Sequence, residues 1–278
     1  MGLLWAIPLL LIGLVIGSFL NVVVNRLATR ETVVRGRSKC PHCEVELQAW
    51  QLLPVVSYIV LRARCFKCKE PISAQYPLVE LATGLLFVGV FWLFDTKLQL
   101  AEVLLGLIAG LATEWIAPTL FFVLALVHVA GLVVLFVYDG KHQLLPDVVL
   151  LPLLVVAAAT AWTHPLLNGP WWYPYAAALA GGGFFLLLFI VSKGKWIGFG
   201  DVKLGAYMGL LVGWPGILVA LFLAFVSGAF VGSILLLFKK KSWGGRIAFG
   251  TFLTAATVAT WFVGEPIADW YLGLIGLG

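Results

Sequence analysis

Residues 116–147 read IAPTLFFVLALVHVAGLVVLFVYDGKHQLLPD, and this stretch decides what kind of fold the chain adopts. A largely apolar run of 22 residues, 117–138, ends at Asp139. About 20 such residues in a helix are needed to cross the hydrocarbon core of a bilayer. A short polar turn follows, and Asp147 precedes the next apolar run. The stretch therefore predicts two membrane helices joined by a turn that carries acids.

Similar apolar runs recur along the whole chain. Its 278 residues are 62% hydrophobic and 11% charged, which excludes an ordinary soluble domain. We predict an all-α, polytopic membrane helix bundle of about eight spans, with a small zinc-binding cytoplasmic insertion. The predicted spans are 3–25, 77–94, 117–138, 148–164, 172–191, 203–214, 216–238 and 247–263.

The predicted domains follow from where the polar residues collect. Residues 1–25 lack the basic start and cleavage site of a signal peptide, so they predict a retained first transmembrane helix. Residues 26–76, rich in Arg, Lys, Cys and Gln, predict a soluble insertion, and 77–278 the remaining helix bundle. The segment 98–113 is short for a span, and the 266–278 tail indicates no role. The sequence indicates no oligomeric state.

The basic residues predict the orientation of the chain. If 98–113 does not cross and the N-terminus is outside, nearly all basic residues face the cytoplasm and only Lys97 lies outside. If it does cross, eight basic residues, including Lys239–Lys241, move outside. The positive-inside bias favours the first arrangement, which puts Asp139 and Asp201 at the same cytoplasmic face. No basic patch interleaved with aromatic residues indicates a nucleic-acid partner.

All four cysteines lie in the polar insertion, as Cys40, Cys43, Cys65 and Cys68. Two C-x2-C pairs separated by 21 residues are typical of a zinc site with four thiolates. Free or redox-active thiols and two disulfides are the alternatives, and a cytoplasmic location disfavours disulfides. His42 is expected to be solvated, because four sulfurs already complete a tetrahedron.

The acids beside the membrane are the candidates for chemistry, since ionisable groups at membrane depth usually serve a function. Asp139 ends a helix, where a negative charge opposes the macrodipole and gains nothing structurally. Its alternative is a solvated carboxylate that pairs with Lys141 or His142. Asp147 follows Pro146 and is expected to cap the N-terminus of the next span.

Asp201 follows two glycines, Gly198 and Gly200, and could cap a helix that starts at Val202. The glycines permit unusual dihedrals and the close approach of an extended substrate, so we expect them to position it. If Asp139 and Asp201 meet in the fold, they can share one proton and activate a water molecule. This predicts an aspartic protease.

Other polar residues carry weaker expectations. Lys203 could attract Asp201 or reach the lipid head groups. Glu80 could pair with a basic group or line the site. The amide of Asn21 is expected to bond to a neighbouring helix. Small residues at four-residue spacing predict a buried helix that packs closely, and these are Gly205, Gly209 and Gly213.

Taken together, these motifs resemble those of the bacterial prepilin peptidases, also called type IV leader peptidases. The similarity runs nearly end to end and includes Gly17-Ser18-Phe19-Leu20-Asn21-Val22, Cys40-Pro41-His42-Cys43, Arg64-Cys65-Phe66-Lys67-Cys68, Tyr76-Pro77-Leu78-Val79-Glu80, Gln143-Leu144-Leu145-Pro146-Asp147 and Gly198-Phe199-Gly200-Asp201-Val202-Lys203. Many members of the family carry a second acid where this chain has Lys141.

The resemblance implies a function and a place in the cell. It implies that Asp139 and Asp201 are catalytic, and that the enzyme removes the short basic leader of prepilins or pseudopilins. Cleavage would follow a glycine at the cytoplasmic face of the bacterial inner membrane. It also implies N-methylation of the new N-terminus from S-adenosylmethionine. Lys203 would help to position the substrate, and Asp147 and Glu80 would support the site.

Two other functions compete with this interpretation. An intramembrane protease of the presenilin kind shares the Gly-x-Gly-Asp motif, but the cysteine-rich loop and the Leu-Pro-Asp motif argue against it. A transporter or scaffold with a zinc knuckle could use the acids for proton coupling. Transporters often have repeated halves, and the sequence shows no such repeat.

Overall fold

The structure is a computed structural model that describes residues 2–33, 36–98, 116–161, 169–238 and 248–274. The chain divides into two compact units, Met1–Val134 and Leu135–Gly278. Within the described ranges it contains eight α-helices, one 3-10 helix and no β-structure beyond isolated bridges. The predicted all-α fold class is confirmed, while the predicted domain boundaries stay a prediction.

The helices cover most of the described chain. They are α1 (Gly2–Thr29), a 3-10 helix (Ala49–Leu52), α2 (Val56–Val60), α3 (Gln75–Leu98), α4 (Ile116–His142), α5 (Asp147–Thr160), α6 (Tyr173–Ser192), α7 (Phe199–Leu237) and α8 (Phe249–Leu274).

Five of these helices, α1, α3, α4, α6 and α7, are long and apolar enough to cross a membrane. Helix α5 is apolar but has only 14 residues. These helices confirm a polytopic membrane protein, and the number of eight spans stays a prediction. The uncertain segment 98–113 lies, apart from Leu98, outside the described residues, as does the Lys239–Lys241 run.

In the first unit, α1 and α3 pack closely because glycines line their contact. A Cβ on Gly13 would lie 2.6 Å from the Cα of Gly84, a distance that real side chains do not reach. Near the same contact, the buried amide of Asn21 donates a hydrogen bond to the carbonyl of Tyr76 at 3.2 Å. The expected bond between Asn21 and a neighbouring helix is therefore confirmed.

In the second unit, α6 and α7 approach in the same way. A Cβ on Gly205 would lie 2.8 Å from the carbonyl oxygen of Gly181, and one on Gly209 would lie 2.3 Å from the carbonyl carbon of Ala177. Both α7 glycines are buried. The close packing predicted from their four-residue spacing is confirmed, and it fixes the first half of α7 against α6.

Helix α7 is broken where the sequence predicts the end of one span and the start of another. Gly213 has a positive φ of 62° with a ψ of −167°, which favours glycine, and Trp214 is extended. Pro215 has no N–H, so the carbonyl of Leu211, four residues earlier, lacks its helical donor. The indole N–H of Trp261 on α8 supplies that hydrogen bond at 3.0 Å. The break is thus stabilised from the neighbouring helix.

Candidate active site

Asp139 lies in the last turn of α4 with a buried carboxylate, only 5% exposed. Its Oδ2 accepts a hydrogen bond from the backbone N–H of Thr251 at 2.8 Å, and the N–H of Gly250 adds a weaker interaction. Both N–H groups belong to the first turn of α8, where backbone donors have no helical partner and carry partial positive charge.

The expectation that Asp139 gains nothing structurally is therefore wrong. Asp139 lies at the negative C-terminal end of α4, but its carboxylate contacts the positive N-terminal end of α8. The alternative pairing of Asp139 with Lys141 or His142 gives way to this backbone contact. The physical reason is local: a buried carboxylate needs donors, and the N-terminus of α8 presents them without a competing acceptor.

Gly250 allows this contact to form. A Cβ at Gly250 would lie 2.8 Å from Oδ2 of Asp139 and 3.2 Å from Cδ2 of Leu145. Any larger residue would push the carboxylate away. Sequence reasoning missed both Gly250 and Thr251. The signal that could have found them is a glycine at the very start of the last predicted span, 247–263.

Asp201 lies in the first turn of α7, which begins at Phe199. Its Oδ2 accepts a hydrogen bond from the N–H of Gly198 at 3.1 Å. The expected helix start at Val202 is wrong, because Gly198 occupies the cap position and Asp201 stands three residues further on. Like Asp139, Asp201 has its charge at the positive end of a helix.

The helix ends that hold the two acids approach each other around Leu145. The acids come from different helices, 62 residues apart in sequence, and belong to the same compact unit. Leu145 of the turn between α4 and α5 lies beside both helix starts. A Cβ added to Gly200 or to Gly250 would lie 3.2 Å from the side chain of Leu145. The first turns of α7 and α8 therefore converge on the turn that follows Asp139.

The Gly198–Gly200 strip differs from the expectation. Gly198 is extended with a φ of −81°, and Gly200 is helical, so neither uses the dihedrals that only glycine adopts easily. Gly200 instead packs closely against Leu145, whose side chain would lie 3.2 Å from an added Cβ. Gly198 is exposed at the edge of the acid pair. Its role in placing a substrate stays a prediction.

Asp147 and Lys203 form an ion pair with each other. Pro146, not Asp147, occupies the N-cap position of α5 and makes no side-chain cap, so the expected capping role of Asp147 is wrong. Lys203 also lies over the ring of Phe199, 5.5 Å from its centroid. This pair joins the start of α5 to the start of α7 and sets the direction of Lys203.

Glu80 belongs to the first unit, and its surroundings are neutral donors. It is buried, accepts a hydrogen bond from the N–H of Val55 at 2.7 Å and interacts with the hydroxyl of Ser18. The expected pairing with a basic group is not what the described residues form. A buried carboxylate satisfied by backbone and hydroxyl donors instead ties the polar insertion to α3.

The four cysteine thiols gather into one cluster in the first unit, with all four sulfurs within 4.8 Å of one another. The sulfurs of Cys40 and Cys68 are 3.8 Å apart, and those of Cys43 and Cys65 are 4.0 Å apart. A tetrahedral zinc site with Zn–S bonds of about 2.3 Å has sulfurs about 3.8 Å apart. Disulfides are excluded because all four cysteines are free.

The two cysteine pairs are held by the same local fold, 25 residues apart. The N–H of Cys40 and that of Cys65 each donate to the carbonyl five residues further on, at 3.0 and 2.8 Å. Glu44 and Lys69, each four residues after the first cysteine, both have a left-handed φ. A hydrogen bond from the backbone N–H of Cys68 lowers the pKa of Cys65 and favours its thiolate, whereas burial and the neighbouring thiols raise the pKa of Cys68.

Two protein-family models match the chain, one over the cysteine cluster and the other over the two acids. Residues 11–94 match the family described as the bacterial peptidase A24 N-terminal domain, and residues 126–233 match the type IV leader peptidase family. The first match holds the cysteine cluster, and the second holds both acids. No solved structure matches the chain.

Several bacterial proteins named prepilin leader peptidase/N-methyltransferase are similar over nearly their full length. One from Stutzerimonas stutzeri is 32% identical over 95% of this chain and 92% of its own. One from Pseudomonas aeruginosa is 32% identical over 96% of this chain and 93% of its own. One from Legionella pneumophila is 31% identical, with 95% and 93% covered.

Proposed function

Because the chain belongs to the type IV leader peptidase family and is a membrane protease, we propose that it removes the leader of type IV prepilins or pseudopilins with Asp139 and Asp201 as its catalytic pair. The observation that carries this assignment is their geometry. The first turns of α7 and α8, whose backbone N–H groups bind the two carboxylates, converge on Leu145. Bringing two carboxylates together is unfavourable unless it serves a purpose.

In the proposed reaction the two acids share one proton. The ionised carboxylate takes a proton from a water molecule, whose oxygen bonds to the scissile carbonyl carbon. The protonated carboxyl gives its proton to the carbonyl oxygen. The tetrahedral intermediate then collapses: the C–N bond breaks, the amine leaves with the proton taken from water, and the intermediate's hydroxyl returns a proton to the pair. No covalent acyl-enzyme forms.

The backbone donors define how each acid is presented. The N–H of Thr251 binds Oδ2 of Asp139, and the N–H of Gly198 binds Oδ2 of Asp201. We assign the other oxygen of each carboxylate to the water and the substrate. Two positive helix ends offset the repulsion between neighbouring carboxylates, so one of the acids can remain ionised in an apolar setting.

We place the reaction at the cytoplasmic face of the bacterial inner membrane. The positive-inside distribution of the basic residues supports this orientation. The substrate would present a short basic leader, a glycine before the cut and an apolar helix after it. We propose that the cysteine cluster holds one structural zinc ion, with Cys40, Cys43, Cys65 and Cys68 as its ligands.

We further propose that the new N-terminus is methylated. The names of the relatives support this second activity, and S-adenosylmethionine would be the methyl donor. We assign the acid pair no part in this second activity, so an enzyme with substituted acids should still methylate a pilin that is supplied already cleaved.

The test is the mass of a prepilin co-expressed with the full-length protein. Asp139→Asn and Asp201→Asn should each lower the cleavage rate by about 100- to 10,000-fold, the usual contribution of general acid–base catalysis. Asp147→Asn is the comparison variant: because Asp147 is exposed and pairs with Lys203, its loss should only weaken folding or activity. An Asp139→Asn enzyme that cleaves at the wild-type rate would end the assignment of the pair.

A further inference from the structure

Part of the insertion that the sequence predicts to be soluble exposes a dense group of apolar side chains. Five residues between positions 52 and 60 have exposures between 42% and 67%, and no residue in this stretch is charged. We call them the apolar patch: Leu52, Leu53, Val56, Ile59 and Val60. They lie at the end of the 3-10 helix and on α2, between the two cysteine pairs. Such a contiguous group is unusual on a surface that faces water.

A hydrogen bond fixes the depth of the apolar patch. The N–H of Val55, in the middle of the patch, donates to Oε2 of Glu80 at 2.7 Å. Glu80 is the sixth residue of α3, about 8 Å along the helix from its start. The membrane-capable stretch of α3 is Gln75–Thr96, which is about 33 Å long and comparable to the thickness of the hydrocarbon core. Val55 therefore lies beside the membrane-spanning length of α3.

The exposed surface of α3 at the height of this hydrogen bond is itself apolar. Leu78 and Leu81 flank Glu80 in the chain and are exposed, as a lipid-facing helix surface requires. The apolar patch thus lies at the same height as an exposed apolar surface of α3.

The residues that follow the patch have the charge expected at a lipid surface. Four exposed basic residues occur within eight positions, with Glu70 after them: Arg62, Arg64, Lys67 and Lys69. Apolar residues followed by a basic group are typical of segments that lie in the membrane interface against anionic head groups.

We propose that the apolar patch is embedded in the lipid interface of the leaflet that receives the N-terminus of α3. The basic residues after it contact anionic head groups. The zinc-binding cluster, whose two halves flank the patch, is thereby held at the membrane surface. The insertion is then an interfacial, lipid-anchored loop whose ends are joined by the cysteine cluster, and the occupant of the apolar surface is lipid.

The test is photochemical labelling of the full-length protein in vesicles of phosphatidylcholine and phosphatidylglycerol. The vesicles contain a phospholipid with a diazirine in its acyl chain, and labelled peptides are identified by mass spectrometry. We expect labelling of 52–60 at least about tenfold above that of 36–48, an internal control from the same insertion. The double substitution Ile59→Glu and Val60→Glu should reduce that labelling while α3 stays labelled.

Two results would overturn the proposal, and neither depends on the variant. In the wild-type protein, 52–60 could be labelled no more than 36–48 in vesicles without substrate. Alternatively, 52–60 could remain unlabelled by lipid yet cross-link to an added prepilin, which would assign the patch to the apolar helix of the substrate.

Discussion

Replacing Gly250 with alanine tests whether the N-terminus of α8 positions Asp139. The new Cβ would lie 2.8 Å from Oδ2 and 3.0 Å from Cγ of Asp139, and 3.2 Å from Cδ2 of Leu145. Relaxed contacts of this kind need about 3.5 Å, so the carboxylate must move by roughly 0.7 Å. That movement also stretches the 2.8 Å hydrogen bond from Thr251.

The expected loss follows from this displacement. A misplacement of about 1 Å in a catalytic group costs about 100-fold in rate, or about 2.7 kcal/mol of transition-state stabilisation. We expect the loss in kcat, with KM changed little, because Gly250 contacts the acid and not the apolar part of a substrate.

The assay is cleavage of a purified prepilin by the variant in lipid vesicles, followed as initial rates over a range of substrate concentrations. Gly273→Ala is the matched control on the same helix, because its Cβ would meet no atom of the described residues within 4 Å. It should cleave at the wild-type rate. A Gly250→Ala enzyme with wild-type kcat would show that α8 does not hold Asp139 in the active enzyme. A loss shared by both variants would show a general effect of alanine in α8.

Two further predictions concern the ion pair and the cysteine cluster. Lys203→Met and Asp147→Asn should each lower the free energy of unfolding by no more than about 1 kcal/mol, because the pair is partly exposed. In thermal unfolding, the double variant should lose no more stability than either single variant. Additive losses would contradict the pairing. Elemental analysis of the wild-type protein should find roughly one zinc ion per chain. Cys40→Ser should lose this zinc, whereas His42→Ala should keep it. Zinc retained by Cys40→Ser would contradict the four-thiolate site.

The fold class and the cysteine cluster could be predicted because their signals are local. An apolar run of sufficient length specifies a membrane helix without reference to the rest of the chain. Two C-x2-C pairs specify a pair of knuckles in the same way, and the structure gathers their sulfurs. The spacing of Gly205 and Gly209 likewise predicted close helix packing, because neighbours on a helix face are set by its period.

The surroundings of the acids could not be predicted, because their partners are distant in sequence. Thr251 lies 112 residues after Asp139, and no pattern near Asp139 points to it. Asp147 follows a proline before an apolar run, the pattern of an N-cap, yet Lys203, 56 residues away, holds its side chain. In both cases a tertiary contact replaced the role that local sequence suggested.

The acid pair also explains why glycine stands at two helix starts that the sequence does not relate. Like charges that approach each other oppose ionisation, and the first turns of α7 and α8 supply donors that counter this cost. For both turns to reach the same place, each must pack against Leu145. Gly200 and Gly250 allow this, since a Cβ on either would lie 3.2 Å from that side chain. The glycine before Asp201 therefore has a counterpart in Gly250, and both let two helix starts pack closely against Leu145, beside the proposed pair of acids.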